Sequence, residues 1–441
     1  MKNSNIIYLI KWIIRRVFLI RKELLNVYQT LIYQPQSRFI LSADTPKLPY
    51  LESVKFYAFL GRVGFGLKEF IALISNGKIF KKSILLDGFD EINLKELYEK
   101  KTDITPFPKP PLVELDKKEK LKNEDLIFTK IEKSYYLANS KDPNRFSRAN
   151  WWEEMSKKFQ RELFNSEGIN RKYLKRFRVE KELPANLVRD QFLIVNREFG
   201  YFKSYLKAID LVLEYHRLAK IVPKEILINI SESYAGDNLC VNYRGQRLSI
   251  RNLFHAVIVE NILRKTELPR DKKSAIWEIG AGYGALSRIL KEYIPNSCYI
   301  ILDLPETLTY ASYFISYNFE DKKIGYLCDI IDRLENFQEL LDEFDFLIVP
   351  TWVSEYIPKD SINLIIDTYS MGEMSKEYVE YYLTHIDRTL KRGGYFYSIN
   401  RRFNRTDENL GFYYWKLESR FLTLIYEQSK YIHPQWLGRK V

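Results

Sequence analysis

Ala275-Ile276-Trp277-Glu278-Ile279 runs without a break into Gly280-Ala281-Gly282-Tyr283-Gly284, and few folds accept such a junction. A short apolar run carrying one acid reads as a buried strand. Three alternating glycines then let the chain turn sharply and let a ligand approach where a Cβ would otherwise stand. The helix expected over about Ala285 to Tyr293 aims its free N–H groups at whatever occupies the turn. Together these read as a nucleotide-cofactor turn.

The next apolar run, Cys298 to Leu304, carries Asp303 about twenty residues beyond the glycines, where a doubly wound sheet places the acid that binds ribose hydroxyls. Asp303 and its neighbour Leu304 are therefore candidate cofactor contacts, with Gly280, Gly282 and Gly284. The pattern serves both nicotinamide dinucleotides and S-adenosylmethionine, and Gly280 to Ala285 also reads as GxGxxA. Glu278 separates the two, because a carboxylate two residues before the first glycine would repel a pyrophosphate but can face a methionine ammonium. Asp345 to Pro350 and Ile362 to Asp367 read as two further buried parallel strands. A helix over about Lys376 to Leu390 should end at Lys391-Arg392-Gly393-Gly394, a basic last turn with glycines suited to a left-handed cap. Tyr395 to Asn400 is the following strand, and Trp415 to Gln428 should supply the remaining edge strands.

Glu278 to Gly284, Leu302 to Glu306, the Ser370-Met-Gly-Glu-Met374 loop and Gly393 to Arg401 resemble the sugar O-methyltransferases of bacterial polysaccharide gene clusters. The resemblance spans roughly Tyr243 to Arg402. It implies a Rossmann-like class I methyltransferase domain of α/β architecture at the C-terminus, S-adenosylmethionine as cofactor, and a sugar or glycan acceptor. By analogy of fold, the preceding residues would form a cap that selects the acceptor.

Methyl transfer to a hydroxyl needs donor and acceptor in line and a group to take one proton. That group belongs past the carboxyl ends of the strands, and the loop after Asp367 offers Ser370, a substrate contact, and Glu373, the first candidate base. Asp367 itself is a candidate cofactor contact or a strand cap. His255 and His433 are alternative catalytic residues, whereas His385 lies within a helix and reads as structural. Arg401 and Arg402 would suit a phosphate on a nucleotide- or lipid-linked sugar. No Asp, Glu or His spacing demands a metal, although some sugar methyltransferases use magnesium, so dependence on a divalent ion stays open.

The 441 residues divide into a basic amphipathic segment (1–45), a helical region (46–104), a Pro-rich and charged linker (105–125), a mainly helical N-terminal cap or acceptor region (126–270) and the cofactor-binding domain (271–441). Three well-separated cysteines give neither a disulfide framework nor a zinc site and suit a reducing cytoplasm. No run is long and apolar enough to span a bilayer. Residues 6–24 place Ile6, Leu9, Ile13, Val17, Ile20 and Leu24 on one helical face and Lys11, Arg15 and Lys22 opposite. That face fits either attachment to an anionic membrane surface or packing within the protein. The net charge of +12 favours a polyanionic partner without selecting one. Arg171 to Arg178 interleaves basic and aromatic residues as single-strand nucleic-acid binders do, which keeps an RNA methyltransferase as the second reading. Against it, Asp367-Thr368-Tyr369-Ser370 lacks the Pro-Pro loop that clamps a planar base. A non-catalytic protein retaining the fold is the third.

Overall fold

The computed structural model describes residues 121–141, 150–178, 211, 214–215, 218–219, 221–237, 240–243, 246–269, 272–400, 415, 417–428 and 434–441. The amphipathic segment 6–24, the Pro-rich stretch, Arg401, Arg402, His433 and most of Asp190 to Leu218 lie outside them. The chain divides into two units, one of residues 1–109, 192–223 and 241–245, the other of residues 110–191, 224–240 and 246–441. The second unit carries the fold.

Its centre is an open sheet of eight strands among the described residues: β1 (Ser274–Ile279), β2 (Ser297–Asp303), β3 (Ile324–Tyr326), β4 (Phe346–Pro350), β5 (Ile362–Thr368), β6 (Leu390–Ile399), β7 (Phe421–Gln428) and β8 (Pro434–Lys440). They lie in the order β7-β8-β6-β5-β1-β2-β4-β3. The pairs from β3 to β6 are parallel, and β8 enters antiparallel between β6 and β7. This is a Rossmann-like α/β domain, as expected from the sequence. β1, β2, β4 and β5 read as nearly continuous apolar runs because helices cover both faces. Alternate residues serve the two sides. Trp277, Ile300, Val349 and Ile365 join one buried cluster, while Glu278 points the other way to Ser287 and Tyr299.

The helices are α1 (Glu124–Lys141), α2 (Asn150–Leu163), α3 (Arg171–Leu174), α4 (Lys224–Asn229), α5 (Ile250–Lys265), α6 (Ala285–Tyr293), α7 (Pro305–Asn318), α8 (Leu327–Ile330), α9 (Phe337–Glu343) and α10 (Lys376–Thr389). α6 occupies the expected span. α1 lies against α7, with the Phe128 and Tyr313 rings stacked 6.0 Å apart, and Lys130 reaches Asp329 of α8 at 2.8 Å. Phe159 of α2 and Phe177 both meet Tyr310 of α7, at 5.8 and 5.1 Å between centroids.

Two expectations need correction. α10 does not end in a glycine cap: its C-cap Leu390 is extended and opens β6, so the strand starts five residues earlier than Tyr395. The glycines serve a bulge between Leu390 and Tyr395, where Gly393 has φ +75°. The edge also holds more than Trp415 to Gln428 supplies. β8, beyond that segment, is buried between β6 and β7 and brings Trp436 to within 5.7 Å of Phe396 and 5.4 Å of Phe421.

Trp277 has no solvent exposure, and its ring lies 6.3 Å from that of Tyr382 on α10, so one side chain ties the central strand to a covering helix. Trp277→Ala should lower the free energy of unfolding by about 3–5 kcal/mol in chemical denaturation. Trp277→Phe should cost much less, since it keeps a ring in place and removes an indole N–H that has no partner.

Candidate functional site

Strand register assembles the site. Ile279 lies opposite Leu302 of β2 and Asp367 of β5, and Asp303 lies opposite Pro350 of β4, so the chain leaves all four strands on one line. Between β1 and β5 the order of strands reverses direction, the point at which an open parallel sheet leaves a crevice outside its carboxyl ends. A cleft opens along this line. Gly280, Asp303, Leu304, Thr351 and Ser370 come to it from the strand ends. Met374, Ser375, Tyr378 and Tyr382 reach it from the start of α10, and Trp152 from α2.

Gly280, Gly282 and Gly284 have φ of +64°, +59° and +85°, a backbone region that costs an L side chain strain and glycine nothing. At Gly280 a Cβ would also stand 1.8 Å from the Ser370 hydroxyl. The turn and the loop after β5 therefore meet in direct contact. Asp303 holds the turn from the other side, accepting from Gly282 N at 2.7 Å and from Leu304 N at 2.7 Å. Burial raises its carboxyl from 3.8 to about 7, against those two bonds.

Glu278 is 1% exposed and accepts from Tyr299 at 2.7 Å and Ser287 at 2.8 Å, both at Oε2. Oε1 receives no donor from the described residues. Burial pushes the carboxyl from 4.5 up to about 7, with the two hydroxyl donors acting against it and the charges of Asp303 and Asp367 adding to it. Asp367 is likewise raised by burial from 3.8 to about 6. Three carboxyl groups at the ends of β1, β2 and β5 are therefore all harder to ionise than usual.

Asp367 departs from its expected role as a cofactor contact. It has no solvent exposure, and its oxygens already take Ser370 N at 3.1 Å, Met371 N at 3.0 Å, the Ser398 hydroxyl at 2.8 Å and the Asn400 amide. A carboxyl so enclosed anchors the loop instead. Tyr369 is held there at φ +66°, unusual for a residue with a side chain and typical of functional loops. Ser370 lines the cleft as expected for a contact residue. Glu373 is half-buried in the turn Met371–Glu373, between lining residues Ser370 and Met374, but is not itself one of them.

His255 does not suit the catalytic role expected of it. It is buried on α5, and burial together with Arg251 lowers its pKa from 6.5 to about 3, too weak a base to take a hydroxyl proton near neutrality. His385 is structural, 3.0 Å from the Arg388 guanidinium and against the Tyr381 ring. Trp152, Thr351, Tyr378 and Tyr382 were not anticipated at the cleft. The Trp151-Trp152 pair and the aromatic content of α10 were the visible signals, but only packing shows which rings point inward.

The geometry defines a Rossmann-like α/β domain with a cleft at the carboxyl ends of its strands. No protein-family model matches the sequence, and no curated protein does. Among solved structures the chain is similar in part to a SAM-dependent methyltransferase of Aquifex aeolicus, at 12% identity over 42% of this chain and 89% of that one, with a TM-score of 0.27. It is similar to the DszA carbon methyltransferase at 14% identity over 43% and 53%, TM-score 0.29, and to the mitomycin 7-O-methyltransferase MmcR at 15% over 43% and 57%, TM-score 0.27. What the cleft does is read from its own residues.

The raised Glu278 carboxyl links folding to pH. Its neutral form contributes stability that is fully present below the unfolded value near 4.5 and is lost as pH rises through about 7. Glu278→Gln should therefore flatten the fall in stability of the ligand-free protein between those values. The gain at pH 8 should be on the order of 2 kcal/mol, read from denaturation midpoints.

Proposed function

We propose that the chain is an S-adenosylmethionine-dependent methyltransferase acting on an oxygen of a sugar or glycan, in a bacterial surface polysaccharide or its nucleotide- or lipid-linked precursor. The observation that carries the cofactor reading is the acidic floor of the cleft. Asp303 lines the cleft beside the glycine turn, and Glu278, two residues before that turn, keeps one oxygen for a further donor. A sulfonium with an ammonium fits these groups, whereas a dinucleotide pyrophosphate would be repelled by them.

When bound, the cofactor supplies an electrophilic methyl group on sulfur. Glu278 Oε1 would hold the ammonium, and Asp303, whose oxygens keep lone pairs beyond their two backbone donors, would accept from ribose hydroxyls. Leu304, Met374, Tyr378 and Tyr382 give the cleft apolar walls that exclude water and strengthen these contacts. Glu373, next to lining residue Met374, accepts the acceptor proton.

The sugar acceptor is supported by the resemblance of four motif segments, Glu278 to Gly284, Leu302 to Glu306, Ser370 to Met374 and Gly393 to Arg401. The RNA reading loses its main support, because Arg171 to Arg178 is not an open stacking platform. Tyr173 and Phe177 are buried, and Arg171, Lys175, Arg176 and Arg178 pair with Asp125, Glu124, Asp237 and Glu232. No helix of the described residues is long and apolar enough to cross a membrane. Attachment at the inner face of the cytoplasmic membrane through residues 6–24 is part of the proposal and rests on the sequence of that segment.

Calorimetry should show S-adenosylhomocysteine binding in about the micromolar range, weakening as pH falls below about 7 because a protonated Glu278 cannot pair with an ammonium and a protonated Asp303 accepts less strongly from ribose hydroxyls. Gly282→Val should abolish it, since a β-branched residue resists the +59° φ found there. Binding of NADH in place of S-adenosylhomocysteine would refute the reading. For the base, Glu373→Gln should lower turnover by about a hundredfold or more at unchanged S-adenosylhomocysteine affinity. The acceptor for that assay would come from mass spectrometry of surface glycans in a strain lacking the protein, which should lack one methyl group.

A further inference from the structure

The side of the cleft away from the strand ends has its own chemistry. It is built of residues from the start of α10, among them Ser375 and Tyr382, and of the half-buried ring of Trp152 from α2. Among the described lining residues Trp152 is the one that precedes the sheet, so it is through this ring that the helices ahead of β1 reach the cleft. Asp303 is the one charged side chain among them, and none is Lys or Arg.

Two hydroxyls on this side have no protein partner. Ser375 is the N-cap of α10, a position whose side chain ordinarily accepts from an N–H of the first turn, yet it makes no such bond. Its Oγ is buried without a partner among the described residues. The Tyr382 hydroxyl, two turns further along the same helix, is in the same state on a residue with no solvent exposure. Burial, then Tyr381, Asp303, Tyr378 and Asp367, raise its pKa well above the ordinary tyrosine value, so it keeps its proton and remains a donor. Buried hydroxyls left unpaired are costly, and two of them at one cleft point to a ligand that supplies the missing bonds. The charges of Asp303 and Asp367, which act on the Tyr382 hydroxyl, would repel an anion placed there.

We propose that Trp152, Ser375 and Tyr382 form the acceptor subsite and that it takes an uncharged pyranose ring. One face of such a ring presents C–H groups, which suit the apolar face of an indole, and its rim carries hydroxyls that can pair with Ser375 and Tyr382. A uronic acid or a sugar phosphate would bring its charge to a lining that holds an acid and no cation, so the phosphate of a carrier lies beyond this subsite. Ser375 follows Glu373 by two residues, which puts the ring on the side of the proposed base. The assignment rests on the sugar methyltransferase reading above.

The test is saturation-transfer NMR, with and without S-adenosylhomocysteine, on a panel of neutral methyl hexopyranosides and the matching hexuronates. At least one neutral glycoside should bind in about the millimolar range, and no uronate more tightly. Trp152→Ala should weaken that glycoside by about tenfold, and Ser375→Ala and Tyr382→Phe by about three- to tenfold each. Melting temperatures of the two hydroxyl variants should stay level or rise, because each removes a buried group that lacks a partner; a structural hydroxyl would lower them instead. In calorimetry Trp152→Ala and Ser375→Ala should change S-adenosylhomocysteine affinity by less than about twofold. Tighter binding of a uronate, glycoside binding indifferent to all three variants, no binding by any member of the panel, or equal weakening of S-adenosylhomocysteine overturns the subsite. A wild type blind to S-adenosylhomocysteine whose glycoside binding still depends on these residues keeps the subsite and removes the cofactor reading. Loss of a glycan methyl group in the strain lacking the protein, with no neutral glycoside bound, does the reverse.

Discussion

Four donors from two separate stretches of chain converge on the enclosed carboxyl of Asp367, and the shape of the cleft depends on that convergence. Ser370 N and Met371 N fold the loop back over the strand end, while Ser398 and Asn400 tie it to β6. Fixed in this way, Ser370 stands where a Cβ on Gly280 would have to be. The glycine turn and the β5 loop consequently define each other. The Asn400 amide also supports Gly372 N at 2.9 Å, so the turn that carries Glu373 inherits its position from the same network.

Around this scaffold the domain separates charge. Glu278 and Asp303 are kept by burial near the point where protons come and go at neutral pH, which makes the acidic floor responsive to a cation. On the far side of Tyr283, buried Arg178 is paired with Glu232 and Arg288 with Glu292.

The helices ahead of the sheet belong to this arrangement through α7. Tyr310 receives Phe159 and Phe177, Tyr313 receives Phe128, and Tyr283 of the glycine turn lies 5.6 Å from Phe177. An aromatic layer thus connects α1, α2 and the Arg178 segment to the cofactor turn. It also brings Trp152 to the cleft and turns the basic run inward, which accounts for the loss of the nucleic-acid reading.

The sequence by itself determined the strand, glycine turn, helix and acid that make one edge of the cleft. Those features are local: an apolar run bounded by glycines and a helix with the right spacing leave the backbone little choice, so β1, α6, β2 and Asp303 stand where they read. The beginning of α10 and the strands β4 and β5 were legible for the same reason. Tertiary structure alone decided the rest. β8 contains Pro434 and Gly438, and its burial follows from insertion between two other strands rather than from its own pattern. Gly393 and Gly394 suit a helix cap or a bulge equally well until the pairing with β5 selects the bulge. Asp367 could be a ligand contact or an anchor until donors from β6 enclose it. Arg178 and Arg251 meet at the Tyr283 ring, a grouping that no spacing in the chain relates, because neighbours in a folded protein are set in space and the chain records only order.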